Sequence, residues 1–187
     1  MENVGGWTVI YYTFMESPIG NLLLTSDGEA LTGLYMSVPE LDSTKQDFCS
    51  FKKFDRNELH QQDDNAYPFT ALKQQLKEYF AGERVDFDVP ISLKGTEFQK
   101  KVWAELRKIP YGITISYGEL ARRIGNPNAV RAAGLANGRN PISIIVPCHR
   151  VIGANGSLTG YGGGLPRKET LLKLESKQLK VPVISAR

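Results

Sequence analysis

A switch in local pattern near residue 92 limits what this chain can fold into. Upstream of it, short apolar runs are separated by turn signals. Residues 8–14 are rich in Ile, Tyr and Thr, and residues 21–25 and 31–35 are further apolar runs. Ser26, Asp27, Gly28 and Glu29 between the last two read as a hairpin turn. Residues 37–66 are polar and aperiodic, which predicts a surface excursion. Pro68 then opens a helical pattern, with Phe69, Leu72, Leu76, Tyr79 and Phe80 at helical spacing, and Gly82 closes it. Val85, Phe87, Val89 and Ile91 alternate with polar residues and predict a strand or an extended linker.

Downstream, helix start and stop signals follow in quick succession. Thr96 and Gln99 match a capping box, with Phe98, Val102, Trp103, Leu106 and Ile109 on one face. Pro110, Tyr111 and Gly112 end that helix. Ser116 and Glu119 form a second capping box, opening a short helix that runs through Ile124 to a stop at Gly125. Asn126 is set to cap the next helix with Pro127 at its first position, and Gly138 to end it. Residues 142–146 are a brief apolar run, and Pro166 starts a last helix carrying Leu171, Leu172 and Leu174. The predicted class is α+β, with a β-rich domain over residues 1–92 and a mainly helical one over 93–187.

Charge divides at the same place. Residues 1–92 hold 7 Lys and Arg against 15 Asp and Glu, a net of −8. Residues 93–187 hold 16 against 5, a net of +11, and the two give the chain its +3. Such a split points to a polyanion as partner of the second half, against chance drift of surface charge. With 41% hydrophobic and 23% charged residues, the 187-residue chain is expected to be soluble and globular. No apolar run is long enough for a membrane helix, and the first residues lack a secretory pattern, so a reducing cytoplasmic setting is expected.

Within the basic half, residues 116–124, a turn at Gly125 and Asn126, and residues 127–137 have the spacing of a helix-turn-helix. Its second helix is thin, with Ala129, Ala132, Ala133, Gly134 and Ala136, and Arg131 is its one long cation. Few of its side chains could reach base edges in a major groove, whereas a thin helix can approach a backbone or a narrow groove closely. Tight helix packing explains the alanines equally well, and a solvated charge explains Arg131.

Two cysteines cannot build a disulfide scaffold, and His60 and His149 are the only histidines, so no metal site is expected. Cys49 lies in the polar excursion and reads as incidental. Cys148 follows the apolar run, in Ile144-Ile-Val-Pro-Cys148-His149-Arg150-Val151. Positive charge or a base nearby would lower its pKa and make it a nucleophile. The alternative is a small buried hydrophobe. The glycines of Gly160-Tyr161-Gly162-Gly163-Gly164 would let backbone approach a flat ligand beside the Tyr161 ring, or form a flexible surface loop. Glu175 on the last helix reads as a solvated carboxylate.

Asn140-Pro-Ile-Ser-Ile-Ile-Val-Pro-Cys148-His149-Arg150-Val151-Ile152-Gly153, followed by Thr159-Gly-Tyr161-Gly-Gly-Gly-Leu, resembles the 6-O-alkylguanine-DNA alkyltransferases. The likeness runs from about Gly95 to Glu175. The N-terminal part fits the family's ribonuclease-H-like domain in length and order only. The resemblance implies transfer of an alkyl group from guanine O6 in double-stranded DNA to Cys148, after base flipping, without cofactor, by a monomer. It implies that His149 acts as base through a water, that Glu175 orients it, and that Asn140 holds the turn before the cysteine. Tyr117 would crowd a phosphate and assist protonation of the leaving guanine. Arg131 would fill the stack, and Asn126 and the Gly118 backbone would touch phosphates. Val151, Tyr161 and Gly162 would line the guanine pocket. Some members carry serine at the position of Gly162, and some bind a zinc for which this chain lacks the residues. Relatives that bind alkylated DNA without repairing it lack the cysteine that is present here. The resemblance leaves activity on 4-O-alkylthymine open. A DNA-binding regulator with a structural cysteine and a cysteine hydrolase are the rival readings.

Overall fold

The computed structural model describes residues 3–4, 7–36 and 58–179. Its N-terminal part is a mixed five-stranded sheet. β1 (Asn3–Val4) pairs with the start of β2 (Trp7–Met15), and β2 pairs antiparallel with β3 (Leu22–Ser26). β3 continues through the expected turn into β4 (Leu31–Met36). The Asp27 carboxylate accepts the N–H groups of Glu29 and Ala30, and Gly28 takes the left-handed φ of 88° that the turn needs.

The polar excursion contains a strand that periodicity did not predict. β5 (Glu58–Gln62) lies parallel to β2, in register Thr8 to Glu58 through Tyr12 to Gln62. Its sequence Glu-Leu-His-Gln-Gln has no apolar alternation because backbone pairing at the side of β2 holds it, not burial of one face. Cys49 and most of the excursion lie outside the described residues.

α1 (Phe69–Ala81) buries Phe69, Leu72, Leu76 and Tyr79, and Gly82 closes it at φ 82°. The stretch from Val85 to Ile91 forms neither a helix nor a named strand, and bends at Val85, Asp86 and Val89. It touches the sheet by one bridge, where Leu31 N–H donates to the Pro90 carbonyl at 2.9 Å.

The C-terminal part is helical. α2 (Glu97–Leu106) has both bonds of its capping box at Thr96 and Gln99. Val102, Trp103, Leu106 and Ile109 are buried, whereas Phe98, expected on that face, is exposed. β6 (Ile115–Ser116) leads into α3 (Tyr117–Arg123). The Ser116 hydroxyl accepts the Glu119 N–H at 3.1 Å, but the reciprocal bond of the box does not form, because Glu119 pairs with Arg122 and Arg123 instead. α4 (Val130–Gly138) begins later than expected. Asn126 does not cap it. Residues 126–129 form their own turn, with Ala129 N–H on the Asn126 carbonyl, and Gly138 is the last helical residue rather than a stop. β7 (Val151–Ile152) pairs parallel with β6, and α5 (Leu165–Leu179) closes the fold.

The core is continuous from sheet to helices, with Leu22, Leu34, Leu76, Trp103, Leu120 and Leu171 in one cluster. Leu34 also bridges to Ile142, so residues 141–143 run along β4 instead of forming a separate strand. Among the described residues no helix is long and apolar enough to cross a membrane.

Candidate active site

Cys148 sits at the start of a single 3-10 turn, Cys148–Arg150, at the end of a tightly wound loop. That loop wraps one amide side chain. The Asn140 Nδ2 donates to the Val146 carbonyl at 2.7 Å and to Cys148 Sγ at 3.1 Å, while its Oδ1 accepts the Ile142 N–H at 3.1 Å. Ile144 takes φ 70° there, a left-handed conformation that a β-branched residue rarely adopts. It persists because Ile142, Ile144 and Val146 are all buried around the bend.

The thiol itself is only 4% exposed. Burial pushes its pKa up, and the Asn140 amide and the Lys168 ammonium oppose that shift without overcoming it. The resting group is therefore a thiol, contrary to the expectation of a pKa lowered by its basic neighbourhood.

His149 is fully buried and makes no hydrogen bond to that thiol. Its Nε2 lies 2.8 Å from Glu175 Oε1, and its Nδ1 has no protein partner. Glu175 is ionised and can only accept, so Nε2 carries the hydrogen and Nδ1 presents a lone pair. Burial drives the imidazole pKa below its ordinary 6.5, against the upward pull of Glu175.

Glu175 is not the solvated carboxylate its sequence context suggested. It is wholly buried and accepts five donors. His149 Nε2, Tyr79 Oη and Arg150 Nη2 reach Oε1, and Arg150 Nε and the Gly112 N–H reach Oε2, all at 2.8–2.9 Å. Burial alone would raise its pKa. The His149 and Arg150 hydrogen bonds overcome burial and hold the carboxyl well below the usual range.

Around this relay stand three groups that sequence reading missed. Arg150 spans Glu175 and the Ile109 carbonyl and lies over the Tyr111 ring. Lys168 is fully buried, with Nζ on the Val151 and Thr159 carbonyls at 2.7 and 2.8 Å, and burial pulls its pKa down to about 8. Tyr79 comes from α1, far away in the chain. The helical spacing of α1 marked Tyr79 as core, and nothing in the sequence marked its hydroxyl.

Tyr117 opens α3, and its hydroxyl donates to the Thr159 and Gly160 carbonyls at 3.0 and 3.3 Å. Its ring lies against Gly134 of α4. The Tyr161 hydroxyl is buried, and Gly162 is exposed beside the end of α4. A Cβ at Gly162 would stand 3.7 Å from the Gly138 carbonyl, an ordinary contact, so the site has room for the serine of other family members. Arg131, in the first turn of α4, and Asn126 are exposed, while Gly118 is half-buried in the first turn of α3. Cys148, His149, Glu175, Asn140, Tyr117 and Val151 thus converge, and Arg131, Asn126 and Gly118 lie on the α3–α4 surface. Among the described residues, no group of three or more His, Cys, Asp or Glu could hold a metal ion.

Comparison with known proteins decides what this arrangement belongs to. Residues 97–177 match the family described as the DNA binding domain of 6-O-methylguanine DNA methyltransferase, and residues 10–93 match its ribonuclease-like domain. The chain belongs to the methylated-DNA–protein-cysteine methyltransferase family. The family member of Methanosarcina acetivorans is 51% identical over 89% of this chain and 98% of its own. That of Mycobacterium tuberculosis is 50% identical over 91% and 94%. The crystal structure of Mycobacterium tuberculosis OGT in complex with DNA superposes with a TM-score of 0.76 at 49% identity, covering 92% of this chain and 95% of that one. The α+β architecture, a sheet domain followed by a helical domain, is that of the family.

Proposed function

We propose that this chain repairs alkylated duplex DNA by moving an alkyl group from guanine O6 onto Cys148, once per molecule. The observation that carries this reading is the Cys148 thiol, held by Asn140 beside a neutral His149 whose other nitrogen is fixed by Glu175. His149 Nδ1 takes the thiol proton through a water. The thiolate attacks the alkyl carbon, an S–C bond forms, and the C–O6 bond breaks with its electron pair going to guanine. Tyr117 leaves its carbonyl partners to assist protonation of the departing base. The product is a thioether, which has no facile hydrolysis, so one transfer uses up one protein.

A thiol 4% exposed cannot meet O6 inside a stacked duplex, so the base must be flipped out, at roughly a few kcal/mol. Contacts of α3 and α4 with the DNA backbone, acting as a helix-turn-helix, offset that expense. The Asn126 and Gly118 regions meet phosphates, and Arg131 fills the vacated stack. Tyr161, Gly162 and the second lone pair of the Val151 carbonyl line the guanine pocket. We assign the two domains to residues 1–92 and 93–187, the second carrying DNA and alkyl group. The protein works as a monomer wherever the DNA lies, in the cytoplasm or in a eukaryotic nucleus.

Cys148→Ala tests this directly. The variant should bind a duplex carrying 6-O-methylguanine as the parent does and transfer nothing. Loss of binding together with transfer would contradict the separate roles of thiol and DNA surface.

A further inference from the structure

Five donors on one carboxylate exceed what orienting a histidine requires. Three of them share Oε1 of Glu175, the oxygen on which His149 sits. Arg150 is local, two residues from Cys148, but Tyr79 reaches across from α1 of the sheet domain, 96 residues away in sequence. Its side chain is fully buried, with its ring against Phe80, Phe87 and Tyr111 at 5.4–6.0 Å between centroids. The ring contacts need no hydroxyl.

We propose that Tyr79 is a positioning residue of the Cys148–His149–Glu175 relay, through which the sheet domain fixes Glu175 Oε1 and limits the basicity it lends to His149. The inference deepens the function proposed above and rests on it for its biological meaning. Each hydrogen bond to Oε1 draws charge from it, leaving less to stabilise a protonated imidazole. The other groups acting on the pair are accounted for. Arg150 faces Glu175 from the 3-10 turn, the Gly112 N–H faces it from the segment after α2, and the Tyr111 ring of that segment lies under Arg150. Lys168 on α5 acts on His149, and Tyr161 and Cys148 complete the surroundings. None of these changes when only the Tyr79 hydroxyl is removed.

The test is the rate of Cys148 carbamidomethylation by iodoacetamide at neutral pH in the full-length protein, read by mass on the Cys148 peptide. Near neutral pH the reactive thiolate is the one whose proton rests on His149. Tyr79→Phe strengthens the pull of Glu175 on the imidazolium, so the rate should rise at least about twofold. Phe87→Leu removes a ring contact with Tyr79 but no donor, and should lower the melting temperature without changing the rate. Should Tyr79→Phe not fold, 3-fluorotyrosine at position 79, a stronger donor, should lower the rate. An unchanged rate in folded Tyr79→Phe or in the fluorinated protein, or an equal rise in Phe87→Leu, overturns the proposal. Iodoacetamide needs no DNA, so failure of alkyl transfer from DNA with these rate changes intact would count against the function and leave the relay standing.

Discussion

At Cys148 burial raises the thiol pKa, while the Asn140 hydrogen bond, the Lys168 charge and the backbone N–H groups of Cys148 and His149 lower it without overcoming burial. Cys148, His149 and Asn140 were legible because they lie within ten residues of sequence and match a family motif. Glu175 needed the resemblance, since a lone carboxylate on a polar helix looks like solvated surface. Lys168 and Arg150 were not legible, because a buried cation differs from an exposed one only in what the fold brings to it. The relay also makes stability depend on pH. The native pKa of His149 is lowered from 6.5 and that of Glu175 from 4.5, so the unfolded chain binds more protons than the native one on the acid side. The contribution of these two groups is therefore complete above about pH 6.5, falls as His149 would protonate, and falls again below about pH 4.5. Half-buried His60 shifts in the same direction, so a variant must isolate His149. Urea midpoints of His149→Leu should lose part of the slope between pH 6.5 and 5, and an unchanged slope would contradict the assignment.

Elements were read well where a local signal decided them. The capping box of α2 and the glycine closing α1 are side-chain and backbone rules that no distant contact overrides. β5 and the start of α4 were misread for opposite reasons. β5 is held by backbone pairing that leaves no trace in hydropathy, and Asn126-Pro127, which looks like a cap, is a turn of its own. The small residues of α4 allow close packing on one side. Ala133 and Ala136 are buried, and Trp103 Nε1 donates to the Ala136 carbonyl at 2.9 Å. Trp103→Ala should lower stability by about 3–5 kcal/mol in urea titrations, since it empties a buried indole site and frees α4. A cost under about 1 kcal/mol would mean that α4 is held elsewhere. On the exposed side, Arg131→Ala should slow transfer from duplex DNA more than transfer from free 6-O-alkylguanine. Equal slowing would remove the stack-filling role.

The whole molecule joins an acidic sheet domain to a basic helical one without a gap in the core. Leu34 pairs with the loop before Cys148, Arg167 Nε donates to the Ile19 carbonyl at 2.7 Å, and Tyr79 reaches Glu175. The change of pattern near residue 92 predicts a change of architecture there. It could not show these contacts, which depend on surfaces far apart in sequence. Covalent transfer to Cys148 is tested by intact mass after incubation with a duplex containing one 6-O-methylguanine. A gain of about 14 Da is expected, the replacement of S–H by S–CH₃, on Cys148 and at most once per molecule, since only the thiolate form of a single cysteine reacts. An unchanged mass on a protein that binds the same duplex tightly would contradict it, leaving a lesion-binding protein with an unreactive cysteine.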